Sequence, residues 1–216
     1  NNVSLDHKSM DELRALFGDF LARAEVAVLN LDNDEASALQ ARAKKVLTYA
    51  IEAEADFGAE AIVLAPFSVA FTAIDRRSGA KARVLLKVPG RHNVANALAA
   101  IAASVAAGVS FEDAVKALGD FQGVRRRFEL VGEAAGVAVI DDFGHNPDKI
   151  AATLKTLHDF PGRLLVMFQP HGFGPLKLMK AEFIDTFVGL MQPDDVLLMP
   201  EPVYYGGTTD RSVGSE

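Results

Sequence analysis

Cysteine is absent from the 216 residues. That excludes disulfides, thiolate metal sites and thiol nucleophiles, and it is compatible with a reducing, cytoplasmic setting. Positive charge is also scarce. Lys and Arg number 22 against 29 Asp and Glu, for a net charge of −7. No basic face is therefore expected for a nucleic acid. Long hydrophobic runs are missing too. The Ala-rich stretch over residues 94–107 is interrupted by Asn96 and Ser104, too short and too weakly apolar to span a bilayer. The start has no basic segment followed by an apolar one, so it does not read as a signal peptide. It has no Met either, which suggests a piece of a longer protein. Two phosphate-binding signatures are absent: no G-x-x-x-x-G-K-[ST] loop, and no G-x-G-x-x-G after a strand. The second absence ranks a dinucleotide-dependent oxidoreductase last.

What is present suits an α/β protein of one large or two small domains. Half of the residues are hydrophobic, enough for a real core. Ser9 can cap a helix to about residue 24, with Leu13, Leu16, Phe17, Phe20 and Leu21 on one face. Residues 26–30 and 46–51 read as strands, with a capped helix over 35–44 between them. Residues 62–64, 68–75 and 82–88 are β-rich, the last two forming an edge hairpin. Helices follow over 94–107 and 111–118, the second capped by Ser110. A boundary is placed at residues 123/124. Beyond it, strands over 128–131, 137–141, 164–168 and 196–199 alternate with helices over 147–159 and 175–191. Such alternation implies a mostly parallel, Rossmann-like sheet covered on both faces, with residues 137–140 as a central strand and ligands at the strands' carboxyl ends.

Three segments carry chemistry. Gly90-Arg-His-Asn-Val-Ala-Asn96 opens a helix after a strand. Asn93 and Asn96 share a face, and two carboxamides suit an adenine edge or a ribose; spacing alone favours a plain cap at Asn93. Asp141-Asp-Phe-Gly-His-Asn-Pro147 ends an apolar strand with two acids and a Gly turn. Asn146 and Pro147 make a good helix start, and a helix N-terminus favours anions. Arg125-Arg-Arg127 is either solvated charge or a guanidinium for a phosphate, with spacing alone favouring solvated charge. Asp6-His7 offers oxygen and nitrogen to a divalent cation, although such a pair near a terminus is usually idle. His171 follows a strand end; His158, inside a helix, reads as structural.

These motifs resemble the Mur ligase family in order and spacing. The resemblance rests on Val88-Pro-Gly-Arg-His-Asn-Val-Ala-Asn-Ala97, Phe121-Gln-Gly-Val-Arg-Arg-Arg-Phe-Glu129 and Asp141-Asp-Phe-Gly-His-Asn-Pro147. Phe168-Gln-Pro-His171 points to the alanine-adding branch, and Asn2-Val-Ser-Leu-Asp-His7 resembles the family's metal-site segment. The resemblance implies an ATP- and Mg2+-dependent ligase. It would join an amino acid or peptide to a UDP-N-acetylmuramate-type carboxylate through an acyl phosphate, in peptidoglycan synthesis. Residues 1–123 would be the later part of a P-loop-type central ATPase domain. Residues 124–216 would be a C-terminal domain truncated at its end. By the same resemblance, His7 would bind the metal, and His92, Asn93, Asn96, Arg127 and Asp142 the nucleotide. Arg127 would be directed at the phosphates. His145, Asn146 and His171 would surround the incoming amino acid, with Arg127 and His145 closest to the chemistry. Two departures stand out: His145-Asn146-Pro147 where the branch has His-His-Pro, and Gly172-Phe-Gly-Pro175 where it has arginines. They keep open a peptide-adding ligase of cell-wall recycling and a non-catalytic nucleotide-binding paralogue.

Overall fold

The computed structural model describes residues 9–203 and 212–215. The chain falls into two compact units divided between Gly123 and Val124. Among the described residues no helix is long and apolar enough to cross a membrane.

The first unit begins with α1 (Met10–Arg23), held by a reciprocal capping box between Ser9 and Glu12. The α1 face differs from the periodic expectation. Gly18 and Leu21 are buried, but Leu16, Phe17 and Phe20 are exposed, Phe20 at 69%. The helix sits down through its glycine, beside the Arg42 guanidinium, and the bulky residues point away. Next come β1 (Ala27–Asn30), the short α2 (Asp34–Ala38), a 3-10 turn over Gln40–Arg42, and β2 (Val46–Tyr49). The single helix expected over 35–44 is thus two short turns.

A meander completes the sheet: β3 (Phe57–Ala65), β4 (Ser68–Asp75) and β5 (Ala80–Leu86). The order is β1-β2-β3-β4-β5. The first two pairings are parallel and the last two antiparallel. Strand β3 starts five residues before its apolar run, and a bulge between Glu60 and Val63 spoils its alternation. Helices α3 (Arg91–Ala106) and α4 (Phe111–Leu118) cover one face. Val94, Ala97, Leu98 and Ile101 recur at helical spacing and meet Phe57, Val69, Phe71, Val84 and Leu86 of the sheet. Small alanines let α3 approach closely.

The second unit opens with a hairpin, β6 (Glu129–Ala134) and β7 (Val137–Asp141), paired antiparallel. Ala135 and Gly136 both have positive φ, the signature of a tight two-residue turn. That turn sends the hydrogen bonds of β7 back to β6. The expectation that residues 137–140 form a central strand is therefore corrected: Val137 and Val139 are more than half exposed.

Then follow α5 (Pro147–Leu157), β8 (Leu165–Met167), α6 (Phe173–Leu190, kinked at Met179) and β9 (Val196–Leu198). Strands β8 and β9 pair in parallel, as the strand–helix alternation implies. Val166 and Leu197 face a core of Ile150, Leu154, Phe168, Leu176, Phe183 and Phe187. On the opposite face Leu165, Met167 and Leu198 are exposed, so the described helices cover this pair on one side and not on both.

Candidate functional site

The loop after β7 is fixed by Asp142. One carboxylate oxygen accepts from the Phe128 N–H at 2.8 Å, the other from the Thr153 hydroxyl at 3.2 Å. Asp142 thereby ties the arginine segment to α5. Arg126 and Phe128, on either side of Arg127, have φ of 58° and 51°, a left-handed conformation that non-glycine residues adopt at a cost. The Asp142–Phe128 bond helps to hold it. Gly144 leaves room for that carboxylate, since a Cβ there would lie 3.0 Å from Asp142 Oδ1. Asn146 caps α5 by accepting from the Lys149 N–H at 2.9 Å, with Pro147 as the first helical residue, as the sequence implies.

Phe143 is the centre of the cluster. Its N–H donates to the Arg126 carbonyl at 2.8 Å. The Arg126 and Arg127 guanidiniums lie over its ring, 4.8 and 5.8 Å from the centroid. The His145 ring packs against it at 5.1 Å, and the His171 ring meets it edge-on at 5.7 Å. Arg127, His145 and His171 are therefore gathered around one aromatic ring. The carboxyl ends of β7 and β8 come together, although β7 does not pair with β8. Nothing in the spacing singled out Phe143; its only signal was its place between the acids and the glycine. Arg126 also approaches Asp141 at 3.7 Å, a solvent-exposed pair of small energetic weight.

His145 Nδ1 lies 3.1 Å from the Phe143 carbonyl, which can only accept, so Nδ1 donates there. Nε2 lies 3.5 Å from the Lys149 ammonium. Lys149 and Thr153 belong to the cluster but were absent from the expected set. Lys149 lies four positions after His145, and the helix turn between them brings the two side chains together.

His92, Asn93 and Asn96 belong to the first unit, at the start of α3. Gly90, at φ 91°, is the residue before the helix, which begins at Arg91. Asn93 therefore lies within the first turn and is not its cap. Its amide donates to the Pro89 carbonyl at 2.7 Å, and the Asn96 amide donates to the Asn93 oxygen at 3.1 Å. The two carboxamides form a linked pair, with Asn96 exposed. Arg91 is paired with Glu52. His92 is exposed on the same turn.

Asp6 and His7 lie outside the described residues. Among those described, no group of three or more His, Asp or Glu could hold a metal ion. His158 is structural, as expected: its Nε2 lies 3.0 Å from Asp195, whose side chain is 1% exposed.

Comparison with known proteins agrees with this layout. Residues 5–104 match the Mur ligase middle domain, and residues 126–210 match the Mur ligase glutamate ligase domain. A UDP-N-acetylmuramate–L-alanine ligase of Geobacter sp. (strain M21) is 36% identical, over 95% of this chain and 46% of its own. One from Anaeromyxobacter dehalogenans (strain 2CP-1) is 40% identical, over 94% and 44%. The chain thus spans about half the length of these relatives. Among solved structures, MurF from Acinetobacter baumannii aligns with a TM-score of 0.72 at 27% identity, over 88% of this chain and 42% of that one. The fold is likewise shared with UDP-N-acetylmuramate-alanine ligase MurC from Thermotoga maritima, at TM-score 0.67 and 24% identity, over 89% and 47%. Carrying both a middle domain and a glutamate ligase domain, in that order, the chain belongs to the Mur ligase family.

Proposed function

We propose that the chain is part of an ATP-dependent ligase that joins an amino acid, L-alanine or a close analogue, to UDP-N-acetylmuramate through an acyl phosphate, in peptidoglycan synthesis. The cytoplasm, where nucleotide-activated sugars are handled, is the compartment this reading implies. The observation that carries it is the gathering of Arg127, His145 and His171 around Phe143 in a chain most of whose length aligns with about half of each alanine-adding ligase. When bound, ATP supplies the phosphoryl group that activates the carboxylate, and Mg2+ offsets its charge.

The residues of this chain have distinct parts in that scheme. Arg127, always charged, is directed at phosphate oxygens, and Phe143 and Asp142 fix its direction. Asn93 and Asn96, as a linked carboxamide pair, suit the edge of a base or a ribose. Asp142 keeps lone pairs beyond the two it uses internally and can take a ribose hydroxyl. His145 packs in the same ring cluster with its Nε2 turned to Lys149, and helps to orient the incoming amine. Asn146 fixes the start of α5 beneath it, and His171 closes the same ring cluster. Most of the rate gain in such a reaction comes from placing the reactants and neutralising charge. His7 would serve the metal.

An amino-acid screen of the full-length protein tests this, reading phosphate release with ATP, Mg2+ and UDP-N-acetylmuramate. Release that depends on one amino acid is expected. Gly172-Phe-Gly-Pro175 favours a second reading, a peptide-adding ligase, which would give release with a peptide and none with free amino acids. Release with neither would leave a non-catalytic paralogue.

A further inference from the structure

Lys149 is a cation in an unfavourable place for its own helix. It sits in the first turn of α5, where the helix dipole favours acids and disfavours ammonium groups. Its Nζ meets only the Nε2 of His145, at 3.5 Å, and no carboxylate pairs with it among the described residues. Arg127 is likewise without a carboxylate partner among the described residues, reaching only the Phe143 carbonyl and ring. Asp142, at the end of β7, is turned to Phe128 and Thr153. The cluster therefore carries positive charge that the fold itself does not use. The start of α6 after His171, Gly172-Phe-Gly-Pro175, contributes no cation. Phe143 nevertheless joins His171 to His145.

We propose that Lys149 is a specificity-determining residue that holds the free carboxylate of the amino acceptor. An ammonium group has three donors. One points to His145 Nε2, which sets the position of Nζ, and two remain for a carboxylate. A single ammonium matches a single carboxylate charge, while a polyphosphate calls for several. This inference deepens the ligase reading and rests on it.

The test uses the full-length protein, with the amino acid that supports turnover and the corresponding amino-acid amide. Lys149→Met is expected to raise the KM for the amino acid about tenfold or more. The KM for the amide and the KM for ATP should stay within about twofold. Lys149→Arg should restore most of the amino-acid KM, which excludes a folding defect as the cause. An equal rise for acid and amide, a rise confined to ATP, or no change would each overturn the assignment. A rise confined to ATP would reassign Lys149 to a nucleotide phosphate. Turnover by the wild type with an unchanged Lys149→Met variant would sink this inference alone. No turnover with any amino acid or peptide would overturn the ligase reading and this inference with it.

Discussion

Phe143 shows how one side chain can organise a site without reacting in it. Its ring orients two guanidiniums and two imidazoles. Each exposed cation–π contact is worth about 0.5–1 kcal/mol. Phe143→Leu keeps apolar bulk and removes the ring. In the full-length protein it is expected to lower turnover about tenfold, with the melting temperature shifted by only a few degrees, because Phe143 is half-buried. A variant with full turnover would reduce the cluster to packing. Asp142 acts differently. Asp142→Asn keeps the shape but loses the charge and one of the two acceptor oxygens. Turnover is expected to fall about tenfold or more, about 1.4 kcal/mol of transition-state stabilisation. The Phe128 amide should also exchange faster with solvent, since its acceptor is weakened. Hydrogen-exchange NMR on the variant checks that link directly.

Among the elements, the loop before β9 depends on Asp195. Burial works against its charge, but the Leu164 and Gln192 N–H groups and the His158 ring outweigh burial and hold its carboxyl below the usual range. A carboxylate whose folded pKa is depressed stabilises the fold above its unfolded pKa, about 3.9. That stabilisation is lost as pH falls through the folded value. Asp195→Asn is therefore expected to lower the urea midpoint at pH 7. The gap to the wild type should narrow at pH 3. A gap of constant size would mean that the charge is not what matters.

The same scale shows what the sequence could and could not convey. The caps were legible at Ser9, Ser110 and Asn146, because short polar side chains before an apolar period have one use. The helix start at Pro147 was legible for similar reasons. The pairing of β7 was not. Val137 to Ile140 is apolar enough for a central strand, and only the positive φ at Ala135 and Gly136 shows that the chain doubles back. Nor was the orientation of α1, since periodicity marks an apolar face without saying whether Gly18 or Phe17 meets the core. Lys149 was overlooked because its meaning lies in the ring nitrogen next to it, and ring contacts leave no trace in spacing.

For the whole molecule, the main physical fact is that each unit has a core of its own. The first unit's is built around Leu98, Ile101 and Phe71, with a smaller cluster of Leu21, Ala27 and Leu29; the second unit's is built around Leu154, Phe168 and Phe187. We expect two melting transitions by calorimetry. Leu98→Ala should cost about 3 kcal/mol and lower only one of them. A single transition shifted as a whole would mean that the two units unfold as one. The chain carries no G-x-x-x-x-G-K-[ST] loop, so these 216 residues alone are expected to release no phosphate from ATP. The central claim concerns the full-length protein: a carboxylate is activated as an acyl phosphate and then captured by an amine. The most direct measurement uses UDP-N-acetylmuramate labelled with oxygen-18 in its carboxylate, with ATP and the preferred amino acid, and mass spectrometry of the phosphate produced. One labelled oxygen per phosphate, appearing together with the amide product, is the expected result. Unlabelled phosphate, or labelled substrate recovered intact while ATP is consumed, would contradict the account.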